Sequence, residues 1–479
     1  MRSGMLWKTA TQVTAQVSRT AMVVILARML TPRDFGIAGL VLVFSGLIQL
    51  LSDVGFSASI VQLPDLTEED CATAFWAGLG VATICFAGAF FAAPYVAAFY
   101  GEPRVRWMFV AVASGLVVGA LMTTQASLLW RRMEFKALEL RGMFAAVVAS
   151  AVGIASAAAG LGPWALILQA LALGLASMVT IWAVSPWKPR FAFSLASLKR
   201  MATFSTNVFA SRFLTEGDRN ADNLLVGRFL GAHALGIYSI GYSVILIPAE
   251  RLVWPAQNVL IPALASLQND VEAMQRLWLR ALRLLASAIV PTMLGAILVC
   301  PELVHVVLGQ KWAPAIPVIQ VLAWVALIQS LVAFNGGVLQ SRNRSGLLVR
   351  MTAFAFALDL TAFVVGLHWG VRGVAFAYAL TNTCVIVPVN LHIATRAIGV
   401  RLSTVARALR GVVEASAAMA LLVFALDHFL EQNHAAPQLR LVASVVVGAA
   451  AYLLVCAWRN PTVFDELRRY RLRRIATAS

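Results

Sequence analysis

Arg28-Met-Leu-Thr-Pro-Arg-Asp-Phe-Gly-Ile37 and Arg228-Phe-Leu-Gly-Ala-His-Ala-Leu-Gly-Ile237 stand 200 residues apart and share four of ten residues: Arg, Leu, Gly and Ile. The correspondence continues along the chain. Pro94 aligns with Pro301, Gly101 with Gly309, Leu129 and Arg132 with Leu339 and Arg342, and Gly160 and Ala165 with Gly370 and Ala375, with the offset drifting only from 200 to 210. The chain is therefore expected to contain two related halves. Each half holds six apolar segments, an even number, so both halves enter the membrane in the same sense. That is a parallel repeat about an axis along the membrane normal, a transporter architecture. The expected division is 1–190 for the first half and 191–395 for the second. Two additional helices and a basic tail occupy 396–479, and the Pro- and Lys-bearing run 185–200 reads as the linker between halves.

The composition requires a membrane. Of 479 residues, 60% are hydrophobic and 13% charged, and mean hydropathy is +0.80. The apolar residues come in blocks of roughly 20, enough to cross a bilayer core of about 30 Å as helix. They lack the short alternating pattern of an outer-membrane barrel, so helices satisfy the backbone. The expected spans are 9–30, 35–62, 71–99, 105–129, 140–160, 163–184, 203–230, 236–262, 281–300, 314–334, 346–367, 371–394, 405–429 and 438–458. The fold class is thus an all-α integral membrane protein of about 14 transmembrane helices, with the two repeats around a central cavity.

Net charge is +16, which in a soluble protein would suggest nucleic acid. Here the basic residues sit in short loops: 26 Lys and Arg fall on the side of the N-terminus and eight on the other. That split predicts cytoplasmic N- and C-termini, and no nucleic-acid partner. One cytoplasmic loop, 63–70, carries acids and no basic residue. The first apolar block keeps Gln12, Gln16 and Arg19 and has no small-residue cleavage site, so it reads as a retained helix. The five cysteines read as small buried hydrophobes. Trp107, Trp312 and Trp458 read as interfacial anchors, and the glycine pairs at 227/231, 115/119 and 366/370 as helix-packing positions.

Chemistry enters through charges inside spans. The seventh carries Arg212, Glu216, Asp218, Arg219 and Asp222, and each such charge costs about 2.5–3.5 kcal/mol at a helix centre. Asn207, Ser211, Thr215, Asp218 and Asp222 share one stripe; Arg212, Glu216, Arg219 and Asn223 form the next. The first helix puts Gln12, Gln16 and Arg19 on one face. The second carries Gln49 and Asp53, and the eighth Glu250, Arg251, Gln257 and Asn258 between prolines 248, 255 and 262. Helices one and seven correspond under the repeat, as do two and eight, so the polar helices are matched pairs. Arg19, Arg212, Arg219 and Arg251, with Gln12, Gln16 and Asn207, are the expected substrate-binding lining. A guanidinium stays charged and grips phosphate through two parallel bonds. Asp53, Glu216, Asp218, Asp222 and Glu250 either orient those arginines or bind a coupling cation. Internal salt bridging with no ligand is the competing reading. No nucleotide-binding, metalloprotease or serine-hydrolase motif is present, and neither cofactor nor metal is expected.

The stretch Ala221-Asp-Asn-Leu-Leu-Val-Gly-Arg-Phe-Leu-Gly-Ala-His-Ala-Leu-Gly-Ile-Tyr238 resembles the second-half signature of the polysaccharide transporter family, the Wzx-type oligosaccharide flippases. Leu26-Ala-Arg-Met-Leu-Thr-Pro-Arg-Asp-Phe-Gly36 resembles the first-half signature, and the resemblance covers nearly the whole chain. The family it resembles belongs to a superfamily with the lipid II flippases and the multidrug-and-toxin exporters. The resemblance implies a non-enzyme in a bacterial inner membrane. It would export an undecaprenyl-diphosphate-linked oligosaccharide by alternating access, for O-antigen, capsule or exopolysaccharide. Membrane lipids and a polysaccharide polymerase complex are the further partners it suggests. Relatives place cations in the cavity from helices one, two, seven and eight. Arg19 and Arg251 match that pattern, whereas the helix-two position is the acidic Asp53. The alternative is a cation-coupled drug or metabolite exporter of the same fold.

Overall fold

A computed structural model describes residues 21–53, 56–63 and 65–459. These residues are helical, with no strand among them. The chain divides into two compact units at Ser239–Ile240. The first contains α1 (21–29), α2 (Pro32–Leu42), α3 (Ser45–Asp53), α4 (Phe56–Gln62), α5 (Glu68–Tyr100), α6 (Val105–Ala113), α7 (Gly115–Arg131), α8 (Phe135–Ala158), α9 (Trp164–Val184) and α10 (Leu195–Phe229). Helix α11 (Gly231–Gly241) carries the chain into the second unit. There follow α12 (Ile247–Ser266), α13 (Val271–Leu298), α14 (Cys300–Leu303), α15 (Ile316–Ser330), α16 (Asn335–Ser341), α17 (Ser345–Gly366), α18 (Gly370–Thr381), α19 (Val387–Ile398), α20 (Leu402–Gln432) and α21 (Pro437–Arg459).

Nine helical runs among the described residues are long and apolar enough to cross a membrane. One of them, 346–398, reverses at Gly370, whose φ is +70°, and α17 packs back on α18, so this run holds two crossings. Together with α1, the broken run α2–α4, α10 and the run α11–α12, the architecture is compatible with fourteen. The lipid-facing surface is apolar: Ile84, Phe91, Leu421 and Leu454 are each more than 70% exposed. In water that would be an aggregation surface; in a bilayer it is solvated.

The repeat is written into the turns. Helix α7 ends with Met133 at φ +59°, and α16 with Asn343 at φ +55°. Met133 N donates to Trp130 O and Glu134 N to Leu129 O; 210 residues on, Asn343 N donates to Gln340 O and Arg344 N to Leu339 O. Both helices thus close with the same left-handed cap. Gly101 and Gly309 also share positive φ, as do Gly160 and Gly370. An arginine at the end of each of these helices closes another helix: Arg131 Nη1 donates to the carbonyls of Ile60 (2.9 Å) and Leu63 (2.6 Å), and Arg342 Nη1 to that of Gln268 (3.2 Å).

Packing and repeat divide the chain at different places. Helix α10 opens the second repeat, yet it packs against α2, α3, α4 and α5 of the first unit. The linker ahead of it is clamped there. Arg190 pairs with Glu68, Trp76 Nε1 donates to Arg190 O, and the Trp76 and Phe191 rings stack at 4.9 Å. Ser194 N donates to Thr73 Oγ1, and Arg200 pairs with the fully buried Asp70. Two of the four acids of loop 63–70, Glu68 and Asp70, thus meet cations in the linker. Asp70 also completes a capping box with Thr67 at the start of α5. Asp70→Ala should therefore cost about 1–2 kcal/mol, mostly the cap, because Arg200 is half exposed. Thermal unfolding of the purified protein measures it.

Some sequence expectations are revised by packing. Trp107 and Trp458 are exposed, but Trp312 is fully buried and is no interfacial anchor. Cys71, Cys300 and Cys456 are buried, whereas Cys384 is exposed. Gly227 and Gly366 do pack closely against neighbours, but Gly231 and Gly370 serve as positive-φ turns.

Candidate functional site

The seventh span is realised as one unbroken helix, α10, of 35 residues. At 1.5 Å per residue that is about 52 Å, more than a bilayer core requires. Asn207, Arg212, Glu216, Asp218, Arg219 and Asp222 all lie on this continuous backbone, so the three- and four-residue spacing does generate adjacent stripes. Asp53 is the last residue of α3, and Glu250 and Arg251 lie on α12. Of these, only Asp222 has its side chain among the described ones; those of Asp53, Asn207, Arg212, Glu216, Asp218, Arg219, Glu250 and Arg251 lie outside. Gln12, Gln16 and Arg19 lie outside the described residues altogether.

Asp222 is 2% exposed. Its Oδ2 accepts from Tyr238 Oη at 2.8 Å, and its Oδ1 from Asn223 N at 2.7 Å. Tyr238 is itself fully buried on α11, so this bond ties α10 to α11 across the turn at Gly231, whose φ is +81°. A carboxylate left in such a place without these donors would be expensive. Within the same unit α11 meets α2 in a symmetric crossing. A Cβ on Gly36 would lie 1.5 Å from Ala232 O, and a Cβ on Gly236 would lie 1.8 Å from Pro32 O. Pro32 and Ala232, like Gly36 and Gly236, are partners under the 200-residue offset. Each signature thus presents its glycine to the other's first helical turn. On the first side, Pro32 at the helix start and the Thr31–Asp34 capping box fix that turn.

The second unit holds a part-buried polar network, centred on the buried Asn382, that reading the sequence missed. Asp359, inside the apolar helix α17, accepts at Oδ1 from Thr381 Oγ1 and Asn382 Nδ2, each at 3.2 Å. Gln329 Nε2 on α15 donates to Asn382 Oδ1 (3.0 Å) and Tyr378 Oη (2.9 Å). Asn382 opens a π-helical turn, Asn382–Ile386, of the kind that interrupts helices at functional positions. The available signal was a lone aspartate within the apolar stretch 346–367, which carries the same default functional meaning as the charges on α10. On α12, Gln257 Nε2 donates to Ala333 O at 2.6 Å. Among the described residues no cluster of His, Cys, Asp and Glu could hold a metal ion.

A helical, twice-repeated, multi-pass chain with polar groups held inside its spans has the build of a membrane transporter. The chain belongs to the polysaccharide biosynthesis protein family, whose model matches residues 25–317. It is 24% identical over 473 residues to the teichuronic acid biosynthesis protein TuaB of Bacillus subtilis, covering 98% of this chain and 97% of that one. It is 25% identical over 365 residues to the lipopolysaccharide biosynthesis protein WzxC of Escherichia coli, covering 75% and 73%. Its fold superposes on the lipid II flippase MurJ in an inward closed conformation with a TM-score of 0.79 at 10% identity, covering 96% of this chain and all of that one. Fold and family thus agree with what the two signatures implied.

Proposed function

We propose that this protein is a flippase that carries a lipid-diphosphate-linked oligosaccharide across the inner membrane by alternating access, for a cell-surface polysaccharide. The observation that carries the reading is the family match over both signature segments, in a chain whose fold is shared with the lipid II flippase MurJ. The expected inner-membrane placement puts both termini in the cytoplasm: a reporter fused after Ser479 should signal inside and one at Gln432 outside. A polymerase complex is the proposed downstream partner. The reading is transport rather than catalysis, since moving a headgroup across a bilayer needs binding and release and breaks no bond of the substrate.

Arg19 and Arg251, from opposite halves of the chain, grip the diphosphate in this proposal, and the neighbouring acids orient them or bind a coupling cation. Charge-assisted bonds to an anion are worth about 1.5–3 kcal/mol each. Arg19→Ala or Arg251→Ala should therefore weaken substrate binding at least tenfold and stop export while leaving protein level and melting temperature intact. Lysine should rescue partly, because a point charge cannot make the forked contact. Variants that fold and export normally would remove both residues from the site and leave Arg212 and Arg219 as the basic candidates. Variants that melt early instead would point to internal ion pairing.

A further inference from the structure

At one end of the second unit, α13, α20 and α21 line an open cavity of about 330 Å³ formed by Arg283, Arg407, Arg410 and Arg459, with Glu414, Ala408 and Gly411; Arg407 and Arg410 are exposed to solvent. Four guanidinium groups face one carboxylate, a formal excess of three positive charges. Glu414 is already engaged: its Oε1 accepts from Arg410 Nε at 2.7 Å, and its Oε2 lies 3.5 Å from Arg459 Nε. Like charges gathered in one concavity repel each other, and a bound anion relieves that repulsion. The volume falls within the range of about 300–1,000 Å³ typical of ligand sites.

The surroundings say what kind of anion. Beyond Glu414 the same three helices close over an apolar core of Val299, Ala415, Met419, Val423, Tyr452 and Cys456. Outward, Val413, Leu454 and Trp458 are exposed, and the Arg459 guanidinium lies 4.7 Å over the Trp458 ring. An exposed tryptophan with a stacked arginine at the end of an apolar helix marks the membrane–water interface. The cavity therefore stands at the depth of lipid phosphates, below an apolar face that acyl or prenyl chains cover. Basic pockets between helices at that depth take anionic headgroups. We propose that this four-arginine cavity binds the phosphate-bearing headgroup of a membrane lipid, with Arg407 and Arg410 of α20 as principal ligands. The site lies wholly within the second unit, and the proposal does not rest on the transport reading.

The test is a native mass-spectrometric titration of the purified full-length protein with three probes: a short-chain polyprenyl diphosphate, phosphatidylglycerol and inorganic diphosphate. The wild type should bind one copy of a lipid probe at this site. Arg407→Gln combined with Arg410→Gln should lose at least tenfold in affinity, and Arg407→Gln alone should lose a measurable part without disturbing the Arg410–Glu414 pair. Arg401→Gln, an exposed arginine outside the cavity, should bind as the wild type. Preference for the polyprenyl diphosphate would identify a diphosphate lipid as the occupant, and equal loss of both lipids a general phospholipid site; either result supports the headgroup assignment. Unchanged lipid binding in the double variant would overturn it. So would an effect confined to inorganic diphosphate.

Discussion

Gly36→Val and Gly236→Val should each sharply reduce the amount of folded protein and its export activity, and to a similar degree. A Cβ at either position would sit 1.5 or 1.8 Å from a carbonyl oxygen of the opposing helix turn. The obstacle is backbone, so no rotamer change can relieve it, and α2 and α11 must part. Overpacking a core typically costs about 1–3 kcal/mol when side chains can yield; here the cost should reach or exceed the upper end. The similarity of the two outcomes is the informative part. Gly36 faces Ala232 and Gly236 faces Pro32, the same contact under the repeat. A severe effect at one glycine and none at the other would contradict the symmetric crossing. Gly88, on the exposed side of α5 with no atom near its missing Cβ, supplies the control: Gly88→Ala should be neutral or slightly stabilising, because alanine is the better helix former by about 1 kcal/mol. Melting temperature and membrane protein level measure all three.

The second large effect belongs to Arg440, near the start of α21. Its Nε and Nη2 grip both oxygens of Asp427 on α20, at 3.0 and 2.7 Å, and Nη2 also reaches Glu302 Oε1 on α14 at 2.8 Å. The Arg440 side chain is 14% exposed and that of Glu302 only 7%. Glu302 Oε2 has no other hydrogen-bond partner. Arg440→Ala strands a buried carboxylate, and breaking such a pair costs about 3–5 kcal/mol. The expected result is a large fall in melting temperature, with the two added helices loosened from α14. Arg440→Lys should recover only part, since the fork that serves Asp427 is lost. Arg440→Leu combined with Glu302→Leu should come close to wild-type stability, because a buried ion pair replaced by packed apolar groups is often neutral. Equal melting of Arg440→Ala and wild type would refute the burial argument.

These two sites show what the sequence did and did not make legible. The repeat was visible in Gly36 and Gly236, because both signatures keep a glycine five residues after a turn. The reason for the glycine was not, since it lies in a contact between segments 200 residues apart. Arg440 read as an ordinary outward charge; its acidic partners are Asp427 and Glu431 on α20 and Glu302 on α14, and no local spacing joins the last to it. The acidic loop 63–70 stood without basic residues in the sequence, and its pairing of Glu68 with Arg190 and Asp70 with Arg200 joins it to a linker more than 100 residues away. Asp222 was found by its stripe on α10, yet its partner Tyr238 lies across a turn that a single-helix reading does not span. Asp359 stands as a single acid in an apolar helix, where no stripe of charges marks it, although one charge there carries the same energetic meaning as several. Helix lengths and apolar faces follow from local chemistry. Which buried groups meet follows from the packing of distant segments.

The central claim is that this chain moves a lipid-diphosphate-linked oligosaccharide from one leaflet to the other. The direct measurement uses the purified protein reconstituted into liposomes that contain a polyprenyl-diphosphate oligosaccharide with a fluorescent sugar label, and a membrane-impermeant quencher added outside. The quenchable fraction should rise from about the outer-leaflet half toward completeness in vesicles with wild-type protein. Arg19→Ala and Arg251→Ala should abolish that rise. A quenchable fraction that stays at one half with folded wild-type protein, in the presence of ion gradients of either direction, would contradict that claim.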